Sequence, residues 1–147
     1  IRISLNSAQS EFYQLYHKPN GYGFDDVVES ARLAVEEGLF VSVNYLIFPG
    51  LTDHESELHA FSHFLEQTRV HMIQWKNLNI DPDVYIGALG LDRLSCSRGV
   101  RFALEEIRSR FDRLKFGYFN PPREHFSLSK HRENGQTIMN SADSCSG

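Results

Sequence analysis

The chain has 147 residues, of which 41% are hydrophobic and 23% charged, and this bounds it to one soluble globular core. A formal net charge of −4 without a concentrated basic face excludes a nucleic-acid footprint, because phosphate binding needs clustered Lys and Arg. No apolar run approaches a membrane span, no signal-peptide pattern opens the chain, and Cys96 and Cys145 lie far apart, so a reducing, cytoplasmic setting without disulfides is expected.

The segment Ile1-Arg2-Ile3-Ser4-Leu5-Asn6 alternates strictly and predicts a short strand with Arg2, Ser4 and Asn6 on one face. It opens on Ile1 without a methionine, inside a β-patterned segment, which reads as a cut sequence. A polar, aromatic-rich loop is expected through Tyr13, Tyr16, Pro19, Asn20 and Gly21. Asp25 and Asp26 then open a helix whose apolar stripe is Val27, Val28, Ala31, Ala34 and Val35, with Gly38 as its C-terminal cap. Val41 to Phe48 is rich in β-branched and aromatic residues and stops at Pro49-Gly50, the pattern of a second strand. Thr52 and Glu55 have capping-box spacing ahead of a helix carrying Leu58, Phe61 and Leu65.

A third strand is expected within Val70 to Ile80, followed by a loop and a helical stripe of Val100, Ala103, Leu104, Ile107 and Phe111. Leu114 to Phe119 predicts a fourth strand, closed by Asn120-Pro121-Pro122. From about Ser127 the chain is polar and has almost nothing apolar to bury, so residues 1–126 form the domain and 127–147 a disordered tail. Crossover-length helices between strands predict parallel pairing and an α/β class.

Parallel strands covered on both sides read as nearly continuous apolar runs. Here Arg2, Ser4 and Asn6, then Ser42 and Asn44, then Gln74 and Lys76 give each early strand one polar face. Each such group left buried without a partner costs about 1 to 3 kcal/mol, so they must meet one another, water or a ligand. A network within an ordinary sheet would satisfy them. So would a barrel lumen lined for a polar ligand, with a mouth of loops bearing Tyr13, Tyr16, Tyr22, Asn77, Asn79, Asp81 and Asn120.

Three segments carry a family resemblance: Ile1-Arg2-Ile3-Ser4-Leu5-Asn6-Ser7, Asn44-Tyr45-Leu46-Ile47-Phe48-Pro49-Gly50-Leu51-Thr52-Asp53, and Gln74-Trp75-Lys76-Asn77-Leu78-Asn79-Ile80-Asp81-Pro82. They resemble strands four, five and six of the radical S-adenosylmethionine barrel, and Phe116 to Pro122 falls where a further strand and loop would lie. The resemblance implies a partial (β/α) TIM-like barrel, roughly strands four to seven, within an enzyme that cleaves S-adenosylmethionine reductively. In that family a [4Fe-4S] cluster on a CxxxCxxC loop supplies the electron, an electron donor reduces the cluster, and the resulting 5′-deoxyadenosyl radical attacks a small-molecule or peptide substrate. Carried onto this chain, the resemblance makes Ser4 and Asn6 contacts to ribose or methionine, and Asn44 a contact from strand five. Gln74, Lys76 and Asn77 become contacts on the adenine side or to substrate. No CxxxCxxC is present, and neither cysteine has a neighbour at ligand spacing, so the chain alone is expected to be inactive.

Other readings attach to single features. His59 and His63 stand four apart, the spacing of a zinc pair, but they face away from the stripe of Leu58, Phe61 and Leu65, which predicts a solvated face. Cys96 lacks an obvious base to act as a nucleophile, Asp25-Asp26 reads as a helix start, and Trp75 is divided between packing and function. Two alternatives of another class remain. One is a cluster-free barrel aldolase or isomerase using Lys76 as a Schiff-base lysine; the other is a non-catalytic half-barrel that binds a partner chain through its sheet edges.

Overall fold

The computed structural model describes residues 1–91 and 97–117. Four parallel strands, β1 (Arg2–Leu5), β2 (Ser42–Ile47), β3 (Met72–Asn77) and β4 (Lys115–Phe116), form one sheet whose spatial order equals their sequence order. Helices α1 (Ser10–His17) and α2 (Phe24–Glu36) connect β1 to β2, and α3 (Glu55–Thr68) connects β2 to β3. Between β3 and β4 lie α4 (Pro82–Leu89) and α5 (Val100–Arg110). The fold is α/β with a four-stranded parallel sheet, as the sequence predicts, and among the described residues no helix is long and apolar enough to cross a membrane.

The register shows why the strands alternate. Ile3, Val43, Ile73 and Phe116 are aligned across the sheet, as are Leu5, Tyr45 and Trp75. These rows face one continuous core to which α2 brings Ala31 and Ala34, α3 brings Leu58, Phe61, Phe64 and Leu65, and α5 brings Ala103 and Ile107. Trp75 belongs to this packing, edge-on to Tyr45 and Phe61 and stacked 6.5 Å from Phe116. The alternate rows are Arg2-Ser42-Met72-Lys115, Ser4-Asn44-Gln74 and Leu46-Lys76. One face of the sheet is therefore apolar and the other largely polar.

Asp25 and Asp26 open α2 as expected, and the Asp26 carboxylate accepts a hydrogen bond from the Gly23 amide at 2.7 Å. Gly38 follows the helix with φ +75°, a conformation that favours glycine. Three expectations need correction. The segment read as a loop after β1 contains α1, which ends where Lys18 enters the left-handed region and Pro19 follows. The loop expected after β3 contains α4, capped by Asp81, whose carboxylate accepts from the amides of Asp83 and Val84, with Pro82 in the first turn. Thr52 does not cap α3; its hydroxyl accepts from the Phe48 amide and donates to the Leu46 carbonyl, while His54 takes the cap and accepts from the Ser56 amide. Cys96, Phe119, Asn120, Cys145 and the expected tail 127–147 lie outside the described residues.

Beneath the amino ends of the strands, His71 stacks on Phe40 at 5.2 Å and its Nδ1 accepts a hydrogen bond from the Val41 amide. Burial, and then the charge of Lys115, push its pKa below the ordinary 6.5. A histidine held neutral in the fold contributes stability that is fully present above 6.5 and is lost as pH falls from 6.5 toward the lowered value. Denaturant unfolding measured between pH 8 and pH 5 should show this loss, and His71→Phe, which keeps the stack, should flatten part of it.

Candidate functional site

At the carboxyl ends of the strands, residues from β1, β2, β3 and the last turn of α1 surround a cleft of about 450 Å³. That size is in the range of small-molecule sites, and the carboxyl edge of a parallel sheet is where such sites gather. The lining combines Ser4, Asn44, Lys76, Asn77 and Asn79 with the apolar Leu46, Leu78 and Ile80 and with Tyr16 and His17. Four of the six predicted site residues, Ser4, Asn44, Lys76 and Asn77, are thus brought together. Asn6 and Gln74 are not part of this lining. Gln74 is buried, its amide 3.9 Å from the Met72 sulfur. Asn6 is buried one residue beyond β1, where its amide donates to the Phe12 carbonyl at 3.1 Å and to the Tyr85 hydroxyl at 3.4 Å.

Several polar atoms here are unsatisfied. Asn44 Oδ1, His17 Nε2 and Asn6 Oδ1 are each buried without a hydrogen-bond partner. Such groups are scarce in folded proteins and cost about 1 to 3 kcal/mol apiece. Three of the four such atoms among the described residues lie toward this end of the sheet, the fourth, Glu106 Oε2, being on α5. Burial also pushes the Tyr85 hydroxyl up to about 12, so it remains protonated beside Asn6.

The site is assembled by a residue that sequence reasoning passed over. Glu57, on the first turn of α3, is 1% exposed. Its carboxylate accepts from the Ser7 hydroxyl at 2.5 Å, the Ala8 amide at 2.7 Å, the Gln9 side-chain amide at 2.9 Å and the Tyr45 hydroxyl. Burying an ion is tolerable when all its lone pairs are met by donors. The first three bonds fix the turn between β1 and α1, and so the position of Tyr16 and His17 at the cleft, while the fourth ties α3 to β2. The detectable signal was spacing: Glu57, Phe61, Phe64 and Thr68 recur at intervals of four, three and four on one buried stripe.

A second acid, Asp53, locks the loop after β2. It accepts from the Gly50 amide at 2.6 Å and the Gly99 amide at 2.9 Å, tying the Pro49-Gly50 turn to the start of α5. Gly50 adopts φ +92° in that turn, which a side chain would strain. A small second apolar cluster of Phe48, Leu51, Tyr85, Leu89 and Leu91 packs α4 over this end, with Tyr16 edge-on to Tyr85 at 5.7 Å.

His59 and His63 are exposed on α3, and no group of three His, Cys, Asp or Glu among the described residues could hold a metal ion. Comparison with protein-family models, with curated proteins and with solved structures returns no match.

Glu57→Ala would leave four donors facing a void, and a cost of about 3 to 5 kcal/mol is expected. Glu57→Gln, which sets an amide donor against other donors, should cost less, about 1 to 3 kcal/mol. Urea unfolding monitored by circular dichroism measures both.

Proposed function

We propose that this chain is the S-adenosylmethionine-holding part of a radical S-adenosylmethionine barrel, roughly its strands four to seven. The observation that carries the reading is the sheet itself: parallel, in sequence order, with a polar row leading to a cleft at its carboxyl end. Doubly wound sheets reverse strand order at a switch point and cover both faces with helices, whereas a barrel advances one strand at a time and keeps its helices outside. Here the order never reverses, and the buried side chains of α2, α3 and α5 join the core of the apolar face. The row Ser4-Asn44-Gln74 then corresponds to residues lining a barrel interior.

The residues present fit the cofactor. Asn44 Oδ1 is a buried acceptor without a donor, suited to a ligand hydroxyl or ammonium. Ser4, exposed at the cleft, adds a hydroxyl, and Asn77 and Asn79 add amides beside the apolar wall of Leu46, Leu78 and Ile80 on which a flat ring can lie. The cation of Lys76 favours a carboxylate. When bound at a reduced [4Fe-4S] cluster, the cofactor supplies hydrogen-atom abstraction from substrate. The residues described here do not fit the cluster itself, since no CxxxCxxC occurs in the sequence, and its cysteines would come from other strands of the barrel. What this chain contributes is binding and orientation.

The test is calorimetric titration of the chain with S-adenosylmethionine. Binding is expected, weakened about tenfold by Asn44→Ala and less by Ser4→Ala, in line with one lost hydrogen bond. Equal affinity in the wild type and both variants would reject the assignment of these residues.

A further inference from the structure

The proposed reading gives no role to His17, although the residue is built into the same cleft. It stands in the last turn of α1, its ring 4.4 Å from that of Tyr13 and 4.9 Å from that of Tyr16. Both tyrosines are themselves held, Tyr13 against Phe24 of α2 at 5.2 Å and Tyr16 against Tyr85 of α4. The imidazole therefore sits against two rings of its own helix that are in turn packed on α2 and α4, and its Nε2 is buried without a partner. Packing alone would be better served by a phenylalanine, which carries no polar atom to leave unsatisfied.

The charged group that shares the cleft with His17 is Lys76, and the neutral polar groups are Ser4, Asn44, Asn77, Asn79 and the Tyr16 hydroxyl. Burial lowers the His17 pKa from the ordinary 6.5, so the ring is neutral at pH 7. A neutral imidazole offers one nitrogen as an acceptor. The soft χ2 torsion of histidine lets Nε2 turn toward an arriving group while the ring keeps its contacts with Tyr13 and Tyr16.

We infer that His17 is a further ligand-binding residue of the cleft, its uncharged Nε2 accepting a hydrogen bond from a hydroxyl group of the molecule bound there. The inference deepens the reading above and rests on it only in the choice of probe. The neutral ring binds and the protonated ring does not, so occupancy of the cleft falls with acid in the range where His17 titrates. His17 also discriminates chemically, because a ligand lacking the hydroxyl leaves Nε2 unsatisfied.

The experiment is a titration of the histidine-labelled chain with S-adenosylmethionine, following the imidazole nitrogen resonances at pH 7.5 and 5.5. His59 and His63, exposed on α3, are internal references. The expected result is a large shift at His17 Nε2 with none at the references, binding that weakens as the His17 resonance itself reports protonation, and affinity reduced about tenfold in His17→Phe. His17→Gln, which retains a hydrogen-bonding group, should bind better than His17→Phe and lose most of the pH dependence. Binding that leaves the wild-type His17 resonance unmoved overturns the inference and leaves the cofactor reading intact. Absence of any binding by the wild-type chain overturns both.

Discussion

The arrangement at the carboxyl end of the sheet depends on one buried carboxylate. Among the described residues Glu57 meets no cation; its charge is stabilised by donors from Ser7, Ala8, Gln9 and Tyr45. Three of these come from the turn that leaves β1 and the fourth from β2, so one side chain of α3 binds together three elements distant in sequence. Hydrogen bonds to a charged group are roughly twice as strong as neutral ones, and in a low-dielectric interior they are also directional. This makes the turn after β1 rigid where a loop would otherwise be free. A rigid turn is what α1 needs in order to bring Tyr16 and His17 over strand ends that carry Ser4 and Asn44.

The sheet divides its labour between faces. Its apolar rows, from Ile3 to Phe116 and from Leu5 to Trp75, bury against three helices and supply the stability. The polar rows supply little of it and leave atoms such as Asn44 Oδ1 unsatisfied. A fold of marginal stability keeps such groups only where something offsets them. Ligand binding is the offset proposed here, with the large core carrying the cost until the ligand arrives.

Much of this was legible in the sequence because period-two alternation is a local signal. Alternation alone places Ser4, Asn44 and Gln74 on one face of their separate strands, and the register aligns them in one row. Where the sequence misled, the cause was also physical. Helix α1 has eight residues rich in Tyr and polar groups, and its stability comes from packing Tyr13 and Tyr16 on other elements, which no local pattern displays. Helix α4 announced itself through Asp81-Pro82, a capping residue followed by a first-turn proline, but the neighbouring asparagines and the preceding strand made it look like loop. Asn6 obeyed the alternation yet lies past the end of β1, where the chain has left the sheet and its amide is taken up by Phe12 and Tyr85. Glu57 was hidden among exposed neighbours, Glu55, Ser56 and His59, and its partners in the β1–α1 turn are some fifty residues away.

The central claim is that this polar face belongs to a barrel that cleaves S-adenosylmethionine. The most direct measurement uses the protein encoded by the whole reading frame that contains this sequence, reconstituted with iron and sulfide under anaerobic, reducing conditions and supplied with S-adenosylmethionine. Formation of 5′-deoxyadenosine and methionine, reduced by substitution of Asn44, is the predicted result. A reading frame without a CxxxCxxC segment, or a reconstituted cluster that yields no 5′-deoxyadenosine, would contradict the account.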